Sequence, residues 1–363
     1  MLSPEETQRY ARQTLLKEIG TEGQEKLKQA SILLIGTGGL GSPAATYLAA
    51  AGVGRMTLID DDSVELSNLH RQPIHDSDQV GQPKLDSARR RLLAINPHLE
   101  LTTHQGRFTA GNALELLAPH DLILDGSDNF PTRFAANDAA FFLKKPLIHG
   151  AIFQFDGQLT TFAPHLGGPC YRCLLPEPPP PGAVPSCAEA GVLGVLPGII
   201  GSLQAMEALK FLLDLGTQPL GRLIHYQALS SSFRELKIKP DPNCPLCGQN
   251  PSITAPISYE HSCSMNDYKE ISTNDLRDIL TQGTDAILID VREQEEYDLD
   301  HIPGSRLIPL STWPATIEHL DKNASYLVHC QKGMRSARAC QYMLANGFQD
   351  ATNIAGGMDA WNS

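Results

Sequence analysis

The chain has 363 residues, about 41% of them hydrophobic, and a formal net charge of −12, a globular balance with room for two cored domains. That acidity argues against nucleic acid as a partner, because holding a phosphate backbone takes a basic surface; it suits a solvated acidic face or a basic patch on a protein partner. The polar start "MLSPEETQRYARQ" is no secretory leader, and the most apolar run, Gly191 to Leu203, is short and broken by Pro197, so the expectation is a cytoplasmic protein without a membrane span.

From about Ala30 to Gly150, strand-like stretches ("SILLIG", "MTLID", "LELTTHQ", "DLILDGSD", "PLIHG") alternate with helical ones such as "KLDSARRRLLAIN". This predicts an α/β fold built on a doubly wound, Rossmann-like, mainly parallel sheet. Gly36, Gly38 and Gly41 stand in a G-x-G-x-x-G frame, with Asp60 where a ribose-binding acid belongs. Alone, that outline reads as an NAD-dependent dehydrogenase. The residues behind it point elsewhere: Asn68 and Arg71 in "ELSNLHRQ", Lys84 at a helix start, and Asp128 just past a strand end. Two cations and a carboxylate at that edge suit a triphosphate, with Asp128 holding Mg²⁺.

Further along, "DGQLTTFAP" and "GRLIHYQALSSSFRELKI" read as antiparallel additions, separated by the helical pattern "GIIGSLQAMEALKFLLDLG". The run "PEPPPPGAVPSC" cannot be helix or central strand, and reads as a stiff exposed loop that delivers Cys187. Cys170 and Cys173 form one C-x-x-C knuckle, and Cys244 and Cys247 another. Together they supply the thiolates of a closed tetrahedral zinc site, structural because no coordination position stays open. Residues 249–267 are polar with scattered prolines and read as a linker between a domain at 1–248 and a smaller α/β domain at 268–363. In the smaller one, "LVHCQKGMRSARA" sets Cys330 between a strand and a helix, where backbone N–H groups and the helix dipole favour a thiolate. Arg335 stands close enough in sequence to stabilise that thiolate or a persulfide. Cys263 in the linker and Cys340 in a helical stretch read as bystanders.

The motifs "RYARQ", "IGTGGLG", "LIDDDSVELSNLHRQ", "VGQPK", "LDGSDN", "CYRC", "CAEAGVLG", "GSLQAMEALK" and "CPLCG", in this order over residues 1–248, resemble the ThiF/MoeB-like (ubiquitin-activating-like) adenylyltransferases of molybdopterin and thiamine biosynthesis. That resemblance implies ATP rather than NAD. It puts Asp60 on the ribose, Gly39 against the nucleotide, and Ser67, Asn68, Leu69, His70, Arg71 and Lys84 on the phosphates. Asp128 and Asn129 fall beside the metal and the reacting phosphate. Arg12 matches an arginine that reaches into the second subunit's site, which implies a homodimer. The implied chemistry is adenylation of the C-terminal Gly-Gly carboxylate of a small ubiquitin-fold sulfur-carrier protein.

Residues 268–363 resemble single-domain rhodaneses, through "LIDVREQEEYDLDHIPGS", the Cys330 loop and "NIAGGMDAW". The loop from Cys330 to Arg335 is one residue shorter than in related phosphatases, which suits a sulfur atom better than a phosphate group. Asp290, Arg292 and His301 read as locks on the domain's own structure. The two resemblances in one chain match the fused adenylyltransferase/sulfurtransferases of molybdenum-cofactor synthesis, some of which serve tRNA thiolation. They imply a persulfide donor, such as a cysteine desulfurase or thiosulfate, that loads Cys330. Cys187 is left open between a thioester, an acyl disulfide with sulfur from Cys330, and no chemistry. Two other readings are an activator that passes its modifier to lysine and a non-catalytic scaffold. The fused rhodanese-like segment favours sulfur over conjugation, and a scaffold has no need to keep both nucleophiles.

Overall fold

The computed structural model describes residues 1–179, 191–259 and 268–362. They divide into two compact units, one ending at residue 259 and one beginning at 268. In the first, the continuous apolar runs become the inner strands of a sheet buried on both faces. Strand β1 (Ser31–Ile35) is buried throughout. It pairs in parallel with β2 (Arg55–Asp60) on one side and β4 (Leu122–Asp125) on the other. β3 (Glu100–Gln105) extends the β2 side and β5 (Leu147–Phe153) the β4 side, again in parallel. Then the direction reverses: β6 (Asp156–Phe162), β7 (Arg222–Gln227) and β8 (Ser232–Lys237) add antiparallel neighbours, giving the order β3-β2-β1-β4-β5-β6-β7-β8.

One face of the sheet packs on the helices Gly41–Ala51 and Lys84–Ile95 through Ile32, Leu34, Leu48, Leu58, Leu85 and Leu92. The other packs on Phe130–Leu143 through Leu33, Ile123, Phe134 and Leu147. The long helix Val195–Leu213 takes Pro197 into its first turn, where a missing N–H costs nothing. By length and composition alone it is apolar enough to cross a membrane; here it lies on β5, β6 and the helix Gly41–Ala51.

The second unit is a wholly parallel sheet in the order β11-β10-β12-β13-β9: Arg306–Leu307, Ile287–Asp290, Ser325–His329, Asp350–Ile354 and Lys269–Ile271. Its cores are built around Ile289, Val328, Ala339 and Met343 on one face, and Leu276, Leu288 and Leu327 on the other.

The glycine turn after β1 is set by contact, not only by conformation. Gly36 has φ +84°, and a Cβ on Gly41 would overlap the Gly36 carbonyl. Gly41→Ala is therefore expected to destabilise the first unit by about 2–3 kcal/mol through overpacking, read as a lowered midpoint in urea unfolding. A midpoint equal to the parent's would contradict this contact.

Candidate active site

The C-terminal ends of β1, β2 and β4 open onto a crevice at the point where the strand order turns away from β1 on both sides, which is where open α/β sheets take ligands. The glycine turn follows β1 at this edge. Asp60, at the end of β2, accepts the Thr37 backbone N–H at 2.7 Å and the Thr37 hydroxyl at 2.8 Å. The candidate ribose acid thus also fastens the glycine turn. Past β2, a 3₁₀ turn at Leu66–Asn68 leads to Arg71, whose guanidinium donates to the Ser67 carbonyl at 2.9 Å and meets the His70 ring at 2.9 Å. Asn68 is buried, Leu69 half-buried, and Ser67 and His70 exposed. Lys84 opens the helix Lys84–Ile95; it is buried, and its ammonium pairs with Asp62 at 2.7 Å. Asp128 and Asn129 are exposed on the turn after β4, where Asn129 caps the next helix by accepting the Thr132 N–H at 3.0 Å. Gly39 packs near Pro197 of the long helix. Arg12 is exposed on the short helix Ala11–Thr14. Cys187 and Cys263 lie outside the described residues.

Behind the turn sits Asp125, fully buried. One carboxylate oxygen accepts from His149 Nδ1 at 2.7 Å; the other accepts the Ser127 N–H at 3.0 Å and its hydroxyl at 2.5 Å. Burial pushes this carboxyl up, but the His149 hydrogen bond and charge, with Arg133 and Ser127, hold it below its ordinary value.

The four cysteines of the two knuckles converge. Their sulfurs lie within 4.8 Å of one another, at 3.5 Å for Cys170–Cys244, 3.3 Å for Cys173–Cys247 and 3.9 Å for Cys170–Cys173. A tetrahedron of thiolates around zinc has edges of about 3.8 Å, so the cluster is compatible with that ion. Crowding sets the thiols apart: Cys170 and Cys247 are pushed up and Cys173 down. Thiolates this close repel one another unless a cation stands between them.

Between Cys170 and Cys173, Arg172 forms a fully buried ion pair with Asp138 at 2.7 Å. The same guanidinium donates to the Pro176 carbonyl at 3.0 Å and to the Tyr259 hydroxyl at 2.9 Å. Residues 249–259, read from sequence as the start of the linker, are thus hydrogen-bonded into the first unit, with Ile257 N–H also on Asp138 at 3.3 Å and Ile253 N–H on the Pro245 carbonyl at 2.9 Å.

In the second unit Cys330 follows β12 and is buried, and its sulfur accepts from the Ser336 hydroxyl at 3.4 Å. Gly333, with φ +86°, turns the loop into the helix Met334–Ala345. Arg335 is bidentate on Glu296, at 2.7 and 2.6 Å, and holds that carboxyl below its ordinary value. Arg292 closes on Asp290 at 2.8 Å and also donates to the Gln331 side chain of the Cys330 loop at 3.0 Å. His301 stacks on Tyr297. Cys340 is fully buried, and burial pushes its thiol up. A cavity of about 200 Å³ adjoins the loop, lined by Arg292, Glu296, Leu299, Gln331 and Met358.

A family model described as the ThiF family matches residues 10–246, and one described as a rhodanese-like domain matches residues 272–363. The chain belongs to the ThiF family and carries a rhodanese-like domain. It is 54% identical over 265 residues to a sulfur carrier protein adenylyltransferase of Thermus thermophilus, covering 72% of this chain and 98% of that protein. It is 43% identical over 373 residues to a probable adenylyltransferase/sulfurtransferase MoeZ of Mycobacterium tuberculosis, covering 99% of this chain and 94% of that one. With the adenylyltransferase and sulfurtransferase MOCS3 of Anopheles gambiae it shares 40% identity, covering 99% of this chain and 87% of the relative. A crystal structure of E. coli MccB superposes with a TM-score of 0.59 at 22% identity, covering 66% of this chain and 75% of MccB, a likeness of fold alone. This ThiF-family chain is an enzyme, an adenylyltransferase and sulfurtransferase. The dehydrogenase outline is set aside with that assignment.

Sequence reading passed over Asp125, His149, Asp138 and Glu296. Each is polar at a place where its neighbours are apolar or unremarkable, and only its distant partner gives it meaning. His329, the last residue of β12, is another. It is fully buried with neither ring nitrogen hydrogen-bonded, and burial pushes its pKa down from 6.5 to about 4. The unfolded chain therefore takes this proton more readily than the folded one. The stability it withholds is intact above about pH 6.5 and is lost as pH falls toward 4, on the order of 3 kcal/mol. His329→Phe is expected to flatten the acid limb of the unfolding transition of the rhodanese-like unit, followed by calorimetry of the full chain. Parallel acid limbs for parent and variant would contradict the assignment.

Proposed function

We propose that this enzyme adenylates the C-terminal Gly-Gly carboxylate of a small ubiquitin-fold sulfur-carrier protein and then converts it to a thiocarboxylate with sulfane sulfur held on Cys330. The observation that carries the reading is the pairing, in one chain, of an anion-handling crevice at the β1/β4 switch with a separate loop that presents a thiol ahead of a helix. In this reading Asp60 takes the ribose, Gly39 lies against the nucleotide, and Ser67 to Arg71 with Lys84 hold the phosphates. The exposed oxygens of Asp128 suit a hard divalent cation, and Mg²⁺ there would supply charge neutralisation at the phosphates. Asn129 helps hold the turn. Arg12, from a second copy, completes the site in a homodimer.

A carboxylate is a poor electrophile. Its oxygen attacks the α-phosphorus, the bond to pyrophosphate breaks, and the acyl carbon gains a good leaving group. Like other transfers at phosphorus, this asks the protein for position and charge more than for covalent help. The terminal persulfide sulfur of Cys330 then attacks the acyl carbon and AMP leaves, giving an acyl disulfide. A second thiol cleaves its S–S bond to free the thiocarboxylate, and a reductant re-opens the resulting protein disulfide. Cys187 is the candidate for that thiol, or for a thioester formed directly on the adenylate. Arg335, braced by Glu296, supports the anionic sulfur. Zinc on Cys170, Cys173, Cys244 and Cys247 is structural. The enzyme works in the cytoplasm, with molybdenum-cofactor synthesis, thiamine synthesis or tRNA thiolation as its outlet.

Four measurements test this. Asp128→Ala should cut carrier-dependent ATP–pyrophosphate exchange by about 100-fold or more with an unchanged melting temperature; normal exchange would remove Asp128 from the reaction. Cys330→Ala should abolish thiosulfate sulfurtransferase activity and leave exchange intact. Cys244→Ser, or a strong chelator, should lower the melting temperature of the first unit, and a zinc-free protein of full stability would refute the metal. Intact mass of the carrier after incubation with ATP and a sulfur donor reads the product directly, as the exchange of one oxygen for sulfur.

A further inference from the structure

The reaction as proposed uses Asp128 but not the buried pair beneath it. Asp125 and His149 stand side by side in register on β4 and β5. The imidazole packs in a three-ring cluster with Tyr171 and Phe162, with centroids at 5.1 and 5.8 Å from its own, and its side chain is only 4% exposed. Its Nδ1 donates to one oxygen of Asp125, while the other oxygen takes both the N–H and the hydroxyl of Ser127. Ser127 is the residue before Asp128, and its carbonyl accepts from Arg133 at 3.1 Å. The main chain at Asp125 is held from the far face as well, where Gln204 donates to its carbonyl at 2.8 Å. The carboxylate is therefore a cross-tie, with β5 at one end and the Asp128 turn at the other.

We propose that His149 is a positioning residue for adenylyl transfer, fixing through Asp125 and Ser127 the turn that presents Asp128 to the metal and the reacting phosphate. It rests on the reading that Asp128 works there. Without the Nδ1 donor, one oxygen of a fully buried carboxylate has no partner, and a carboxylate in that state rotates or takes a proton. Either change releases Ser127, and Asp128 moves with it. Displacement of a metal-holding group by loss of its supporting bond lowers metal affinity or rate by about 10- to 100-fold.

The test separates hydrogen bonding from packing. His149→Phe keeps a ring in the cluster with Tyr171 and Phe162 and removes the donor. His149→Asn loses the ring but sets an amide N–H near the position of Nδ1. Ser127→Ala cuts the hydroxyl tie at the other end and leaves the ring pocket untouched. The expected order of kcat in carrier-dependent exchange is parent, then Asn within about threefold, then Phe and the Ser127 variant about 10- to 100-fold down, with KM for ATP at saturating Mg²⁺ little changed. The Mg²⁺ concentration that half-saturates ATP binding, measured by calorimetry without a carrier, should rise about tenfold in the Phe and Ser127 variants only. A role confined to packing predicts the opposite order, Phe at or above Asn, and that result overturns the proposal, as does an unchanged Mg²⁺ dependence in all three. If the parent exchanges pyrophosphate with no Gly-Gly carrier, the functional reading fails by itself, and the calorimetric order still decides the role of His149.

Discussion

Main chain meets main chain almost without room where β1 ends, and much of the crevice follows from that contact. The start of the helix Gly41–Ala51 lies directly on the Gly36 carbonyl, and Gly126, just past β4, has room for a Cβ only at 3.0 Å from the Ile35 oxygen. Three glycines at these points let two strand ends and a helix N-terminus meet with no side chain between them. Bare N–H groups and a helix dipole then stand where the proposed reading sets the nucleotide's phosphates. The residues with side chains come in around that bare patch: Asp60 from β2, Lys84 from the next helix, and Asp128 from the turn after β4. Substituting Lys84 or Asp128 alters a local contact, whereas filling the glycine contact moves the frame that holds them all.

A second constraint works at a distance from the crevice. The four sulfurs join Cys170 and Cys173 to partners 74 residues further along the chain, and the short helix between the first two places Tyr171 and Arg172 on opposite errands. Tyr171 leans on His149, and Arg172 enters the buried pair with Asp138. A buried ion pair is weak evidence of stability, since desolvation offsets most of its attraction. Its value here is one of direction. The single guanidinium also grips Pro176, from which the proline-rich segment departs, and Tyr259, the last described residue before the second unit. Two distant points of the first unit are thus tied to one side chain, which stands between two cysteines of the sulfur cluster.

The sheet was legible because its inner strands are uninterrupted apolar runs closed by Gly or Asp, a pattern complete within a few residues. The cysteine knuckles were legible for the same reason: each C-x-x-C is local, and only their meeting needed the fold. Lys84 and Arg71 could be placed at the crevice, but their pairing with Asp62 and with the Ser67 carbonyl depends on how a surface loop closes. What stayed hidden were pairs that depend on register. His149 reads as a lone histidine in "PLIHG", and its partner is 24 residues back, opposite only once β4 and β5 align. Arg335 reads as a free cation beside Cys330, yet it is committed to Glu296, 39 residues away. Arg292 likewise joins the domain lock at Asp290 to the Cys330 loop at Gln331, two roles that a motif shows as one.

The charge balance completes the physical picture. A chain with a net charge of −12 repels polyanions at long range, and at physiological salt that repulsion is screened within about 8 Å. Inside the crevice the arithmetic is local. Lys84 is 6% exposed and already shares its ammonium with Asp62, so one of its three donors is committed and two remain for an incoming oxygen. A cation so placed pays little entropy when a phosphate arrives, because its rotamer is set beforehand. In the proposed reading, an acidic exterior around a few cations set beforehand favours a small, metal-neutralised anion over an extended one. On that reading the preference follows from where the charges sit rather than from how many there are.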